Sequence, residues 1–163
     1  MLYVYMGLFA VGAVALDQLT KYLTIANIEI WEPVSLWDGV VGLTHVRNPG
    51  AAWSSFSGQQ WLFALVFAIF TAAIIWEFSK KRWPFTTFER WCIVAVYAGG
   101  LGNMIDRLRW SYVVDMIRLE FMDFPVFNVA DCFITCGGIA LVVHLVFFNK
   151  EFWKDEKKND PVC

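Results

Sequence analysis

The chain has 163 residues, of which 58% are hydrophobic, 18% aromatic and only 17% charged, with a formal net charge of −2 and a mean hydropathy of +0.51. Soluble domains run about 45–50% apolar and about 25% charged, so the composition excludes an ordinary soluble domain and predicts a single integral membrane domain. The acidic balance excludes a nucleic-acid partner, which needs a basic surface, and four cysteines without a C-x-x-C pair or a His–Cys cluster leave zinc unsupported.

Four apolar stretches predict four transmembrane helices, over about 2–23, 60–78, 90–107 and 129–149. Their uncharged cores are slightly short of the roughly 20 residues that span hydrocarbon, and amphipathic ends supply the difference. Tyr22, Trp61, Trp76, Trp91, Phe148 and Trp153 stand near the span ends, as an interfacial aromatic belt does. In the first stretch Ala13-Val14-Ala15 fits a small-x-small cleavage site, but no basic residue precedes the apolar run. A secretory signal peptide needs one, so this stretch is predicted to stay as a membrane helix.

Residues 24–60 read differently. Trp31, Val34, Leu36, Trp37, Val40, Val41 and Leu43 are punctuated by Pro33 and Gly39, which predicts short strands joined by turns. A small sheet resting on the membrane surface is expected there. The loop 80–90 is a basic turn interrupted by Pro84, and the charged tail 151–163 is predicted to be disordered. Lys80, Lys81, Arg82, Arg90, Lys150, Lys154, Lys157 and Lys158 lie on one side of the predicted membrane, against Arg47, Arg107, Arg109 and Arg118 on the other. The positive-inside rule then places both termini in the cytoplasm and the loops 24–60 and 106–131 outside.

Four aspartates fall between Gly99 and Asp131, and two of them, Asp115 in VVD and Asp131 in FNVAD, sit where membrane segments are expected to meet water. Carboxylates at such positions are costly and usually functional. If the two meet, like-charge repulsion holds one proton between them. Such a pair activates water for attack on an amide carbonyl, one member as base and one as acid; the sequence leaves open which is which. Asn128 and Asp131 have the spacing of an N-cap and its N3 partner, which puts Asp131 at the positive end of a helix dipole.

Supporting residues follow from helical spacing. Asp17 and Lys21 are four apart, acid first, and Asn103, Asp106 and Arg107 share one helix face. Gly99, Gly100 and Gly102 allow another helix to approach closely. Lys21 either braces the site or meets a lipid phosphate, and His45, Arg47 and Asn48 are candidates to bind a peptide or a headgroup. His144 and the Cys132/Cys136 pair carry no assignment beyond packing. A proton-coupled transporter would distribute acids through the bilayer, whereas here the polar groups gather at one end.

The blocks D-Q-x-T-K at 17–21, R-N-x-G-A-A at 47–52, G-G-x-x-N-x-x-D-R at 99–107, V-V-D at 113–115 and F-N-x-A-D at 127–131 resemble the lipoprotein signal peptidases, the bacterial signal peptidase II family. The resemblance covers the chain from about Asp17 to the end of the fourth span. It implies an all-α membrane aspartyl endopeptidase with four transmembrane helices and a small outer β-cradle over about 24–60. Such an enzyme cleaves the signal peptide of a diacylglyceryl-modified prolipoprotein just before the lipidated cysteine. The family's catalytic aspartates fall on Asp115 and Asp131, and its supporting residues on Asp17, Lys21, Asn48, Gly50, Asn103, Asp106, Arg107 and Asn128. It further implies no metal or cofactor, a monomer, contact with membrane lipid, and a place in the bacterial cytoplasmic membrane with the site near the outer leaflet. Met116 stands where Phe often follows the catalytic aspartate.

Overall fold

The computed structural model describes residues 1–50 and 58–154; Ala51, Ala52 and the tail from 155 lie outside the described residues. In chain order the elements are α1 (Leu2–Asn27), β1 (Val34–Trp37), β2 (Val41–Asn48), α2 (Gln60–Lys80), α3 (Thr87–Trp110), β3 (Val113–Leu119) and α4 (Val129–Phe147). Three of these helices, α1, α2 and α4, are long and apolar enough to cross a membrane.

The helix predicted over 90–107 is present as α3, and its 24 residues reach about 36 Å at 1.5 Å per residue. It is more polar than the other three because of where it sits. It packs against α1, α2 and α4, so protein rather than lipid surrounds its buried Glu89, Arg90, Asn103 and Asp106. Its start is a Thr86–Glu89 capping box, readable as T-T-F-E. At that end Glu89 is fully buried and accepts from Thr86 N at 2.6 Å and Asn149 Nδ2 at 2.7 Å, with His144 Nδ1 at 2.9 Å. His144 therefore ties α4 to α3.

The sheet is antiparallel in the order β1-β2-β3. The hairpin between β1 and β2 turns at Gly39, whose φ of +74° suits glycine, and its N–H donates to Glu120 Oε2 at 2.9 Å. Two boundaries differ from the sequence reading. Residues 24–27 continue α1, and the sheet takes its third strand from 113–119, between α3 and α4. The run VVDMIRL pairs with β2 because both strands leave the same end of the bundle, a proximity that no local pattern encodes.

Glycines set the helix spacing at that end. A Cβ on Gly99 would strike the carbonyl oxygen of Ala130, and one on Gly102 would come within 2.5 Å of Asp17 Oδ2. Both contacts bring α3 against neighbours that cannot retreat. Gly99→Ala is expected to destabilise the fold by about 1–3 kcal/mol. Gly7→Ala, where nothing lies within 4 Å, is expected to leave the melting temperature in detergent unchanged or slightly raised. A thermal melt of both variants checks this.

Candidate active site

The site begins with a buried cation. Lys21 is 2% exposed, and its ammonium bonds Asp17 Oδ2 at 2.9 Å, Asp106 Oδ2 at 3.0 Å and Asn103 Oδ1 at 2.9 Å. Three donors meet three acceptors, so the group is saturated and braces the bundle rather than meeting a lipid phosphate. The same carboxylates reach further. Asp17 Oδ1 accepts from Ala130 N at 2.9 Å, satisfying a first-turn amide of α4, and Asp106 Oδ2 accepts from Val114 N at 3.1 Å. One ion cluster thus holds α1, α3, α4 and β3 together. Gln18 joins it through Asp106 Oδ1 at 3.0 Å and the Gly102 carbonyl at 3.2 Å. It lies inside D-Q-x-T-K, but its type and exposure pattern carry no signal by themselves.

Asp115 and Asp131 arrive from different elements, β3 and the first turn of α4, and line one cavity of about 900 Å³. Asn128 touches both. As N-cap of α4, its Oδ1 accepts from Asp131 N at 2.9 Å and its own N–H donates to Asp131 Oδ2 at 3.1 Å. Its Nδ2 is left to donate to Asp115 Oδ1 at 2.7 Å and Asn103 Oδ1 at 3.1 Å. Asn48, a diagonal neighbour of Asp115 across the β2–β3 ladder, donates to Asp115 Oδ2 at 2.9 Å. Asn103 donates to Asp131 Oδ1 at 2.7 Å.

The orientation of all three amides is dictated. Lys21 can only donate, so it claims the oxygen of Asn103 and turns its nitrogen to Asp131. Gly50 N claims the oxygen of Asn48 at 3.0 Å, and Asp131 N claims that of Asn128. Each amide nitrogen is thereby aimed at a carboxylate. Three of the four oxygens of the pair accept such a bond, and the fourth, Asp131 Oδ2, accepts from the backbone N–H of Asn128.

Burial pushes Asp115 up to about 6, with the nearby charge of Asp131 acting in the same direction and the bonds from Asn48 and Asn128 opposing it. Beside the pair, Arg107 donates to the Gly50 carbonyl at 2.8 Å and lies over the Phe63 ring at 4.2 Å, facing the same cavity. Asp106 and Arg107, adjacent in sequence, therefore part: one turns to Lys21, the other to the cavity. The remaining walls are apolar, with Leu62, Val66 and Phe70 from α2 and Ile134 from α4.

Two sequence candidates fall elsewhere. His45 is buried beside a β-bulge and its Nδ1 donates to the Ile28 carbonyl at 3.1 Å, pinning the end of α1 to the sheet. Arg47 lies 5.2 Å from the centroid of the Tyr112 ring, on the outer surface of β2. Neither lines the cavity.

Lys21→Met leaves Asp17 and Asp106 buried without their cation and frees Asn103 to rotate. A loss of about 3–5 kcal/mol is expected, seen as a large fall in melting temperature. An unchanged melt would mean that the cluster is not what joins the helices.

Comparisons with known proteins give the family of the chain. The family model described as signal peptidase (SPase) II matches residues 9–147. The chain is similar to a lipoprotein signal peptidase of Lactococcus lactis subsp. cremoris (strain MG1363), with 41% identity over 85% of this chain and 91% of that one. It is also similar to a lipoprotein signal peptidase of Streptococcus pyogenes serotype M2, with 39% identity over 88% and 89%. A solved bacterial membrane enzyme superposes with a TM-score of 0.82 at 32% identity, over 98% of this chain and 94% of that one. A second, at 34% identity, gives 0.79 over 88% and 94%. With its family model, relatives and solved neighbours in agreement over most of its length, the chain belongs to the signal peptidase II family.

Proposed function

We propose that this protein is an aspartic endopeptidase of the bacterial cytoplasmic membrane. It cleaves the signal peptide from a diacylglyceryl-modified prolipoprotein just before the lipidated cysteine. The observation that carries this reading is the meeting of Asp115 and Asp131 in one cavity, with Asn128 bonded to both. The apolar walls from α2 and α4 suit a substrate whose cut bond lies between a hydrophobic signal segment and a lipid anchor. Family membership and the names of the relatives support the same substrate class.

In the reaction, Asp131, in the first turn of α4, takes a proton from water as that water attacks the scissile carbonyl. Asp115, whose carboxyl burial pushes up, gives its proton to the carbonyl oxygen as negative charge develops there. The tetrahedral intermediate collapses, the C–N bond breaks, and the proton held by Asp131 passes to the leaving amine. Asp115 recovers its proton as the new carboxylic acid forms. Arg107, with Gly50, borders the same cavity and positions the peptide backbone. All four helices cross the membrane, α3 shielded by the others, with both termini cytoplasmic and the cavity near the outer leaflet. The protein works as a monomer, without metal or cofactor.

A gel-shift assay with a diacylglyceryl-modified prolipoprotein and an unlipidated control tests this. Cleavage of the lipidated form alone is expected. Asp115→Asn and Asp131→Asn are each expected to lower the rate by at least about 100-fold while keeping the wild-type melting profile; normal turnover by either removes the pair from the mechanism. The pH profile gives an independent check. Activity should fall as pH rises and Asp115 loses its proton, with the alkaline limb of kcat/KM near the value of about 6. Bound substrate excludes more water, so the limb of kcat lies higher. Asn48→Ala removes a bond that favours the ionised form of Asp115, and should move the alkaline limb of kcat/KM to higher pH.

A further inference from the structure

A second cavity, of about 530 Å³, lies under the sheet, between the last two turns of α1 and all three strands. Leu23, Leu36, Val41, Leu43, Met116 and Ile117 supply most of its wall. The polar side chains that border it are spent on their own helix: Thr20 Oγ donates to the Asp17 carbonyl at 2.8 Å, Thr24 Oγ to Thr20 at 2.9 Å and Asn27 Nδ2 to Leu23 at 2.7 Å. Water needs two to four polar partners to settle in a cavity, and this wall offers it almost none. The wall therefore suits an apolar guest.

Three observations say which guest. The mouth is rimmed by Leu23 and Leu36, which are 49% and 62% exposed. Leu23 continues the outward row of Leu16 and Leu19 on α1, a helix apolar enough to face lipid, so the cavity opens from the lipid-facing surface. Among the described residues, none lines both this cavity and the one holding Asp115 and Asp131. β3 borders both: Met116 and Ile117 line this cavity, whereas Val113 and Asp115 line the other. A bilayer lipid beside α1 meets this mouth directly, at Leu23.

We infer that this cavity is a binding site for an acyl chain of a membrane phospholipid, separate from the peptidase site. The inference rests on α1 facing lipid and not on the peptidase reading. A chain lodged there packs on Met116 and backs the strand that carries Asp115.

The test is photolabelling in nanodiscs of phosphatidylglycerol doped with a phosphatidylglycerol that bears a diazirine midway along one acyl chain. Label is expected on the peptides containing Leu43 and Met116–Ile117, and is expected to fall at least fivefold in Leu43→Phe and in Val41→Phe, which fill the cavity. Cleavage of lipidated substrate by the same variants serves as the check of folding, with the melting profile standing in if the wild type does not cleave. Label confined to the outward row of α1, or equal labelling in folded variants, overturns the site. Saturating diacylglyceryl prolipoprotein is expected to leave the label in place; its displacement would assign the cavity to substrate and overturn the proposal. Failure of the peptidase reading would appear separately, as intact labelling without cleavage.

Discussion

A single buried ammonium organises this molecule. Lys21 has three protons and no lone pair, and each proton is committed to a different side chain. Removing a charge from water costs several kcal/mol, and only close partners offset that. The partners here are two carboxylates on different helices, and both carboxylates also accept from backbone amides, Asp17 through its other oxygen from the first turn of α4 and Asp106 through the same Oδ2 from the start of β3. Elements that share little local sequence logic are thereby forced to one point.

The same directionality propagates to the chemistry. An asparagine side chain is ambiguous, since its oxygen and nitrogen are nearly equal in size. At this site each of the three is disambiguated by a donor that cannot accept: an ammonium for Asn103, and backbone N–H groups for Asn48 and Asn128. The result is a ring of amide nitrogens fixed on two carboxylates. Preorganised dipoles of this kind need no reorganisation as charge develops. They also help two acids to share one cavity: each carboxylate oxygen accepts a hydrogen bond from the protein itself. The apolar floor beneath the sheet complements this. The strand bearing Asp115 is held by polar groups at Asp115 and borders the apolar cavity through Met116 and Ile117.

Polar residues in a membrane protein are often read as signs of a path through the bilayer. α3 shows another use. It is the most polar of the four helices because it is the most enclosed. Its two ends anchor separate clusters, Glu89 with His144 and Asn149 at one and Asn103 and Asp106 with Lys21 at the other. The bundle is thus stapled at both ends by hydrogen bonds, with glycines at 99 and 102 permitting close approach between them.

Much of this was legible in the chain itself. The apolar spans, the Asn128–Asp131 cap and the i, i+4 pair of Asp17 and Lys21 are local, and local spacing suffices to read them. The spaced motifs named the family and the residues worth watching. The tertiary structure alone decided what those residues touch. Residues 113–119 become a strand only because β2 lies alongside, and Asp106 and Arg107 diverge because Lys21 stands on one side and Gly50 on the other. His45 looked like a binding residue and is a pin, since the bulge in β2 turns it inward to the Ile28 carbonyl. The apolar cavity under the sheet has no signature at all in the sequence, because its walls come from α1 and three strands drawn from two distant segments. Spacing along a chain reports which side chains can share a face of one element. Only packing brings faces of different elements together, and both the paired aspartates and the cavity behind them exist at such meetings.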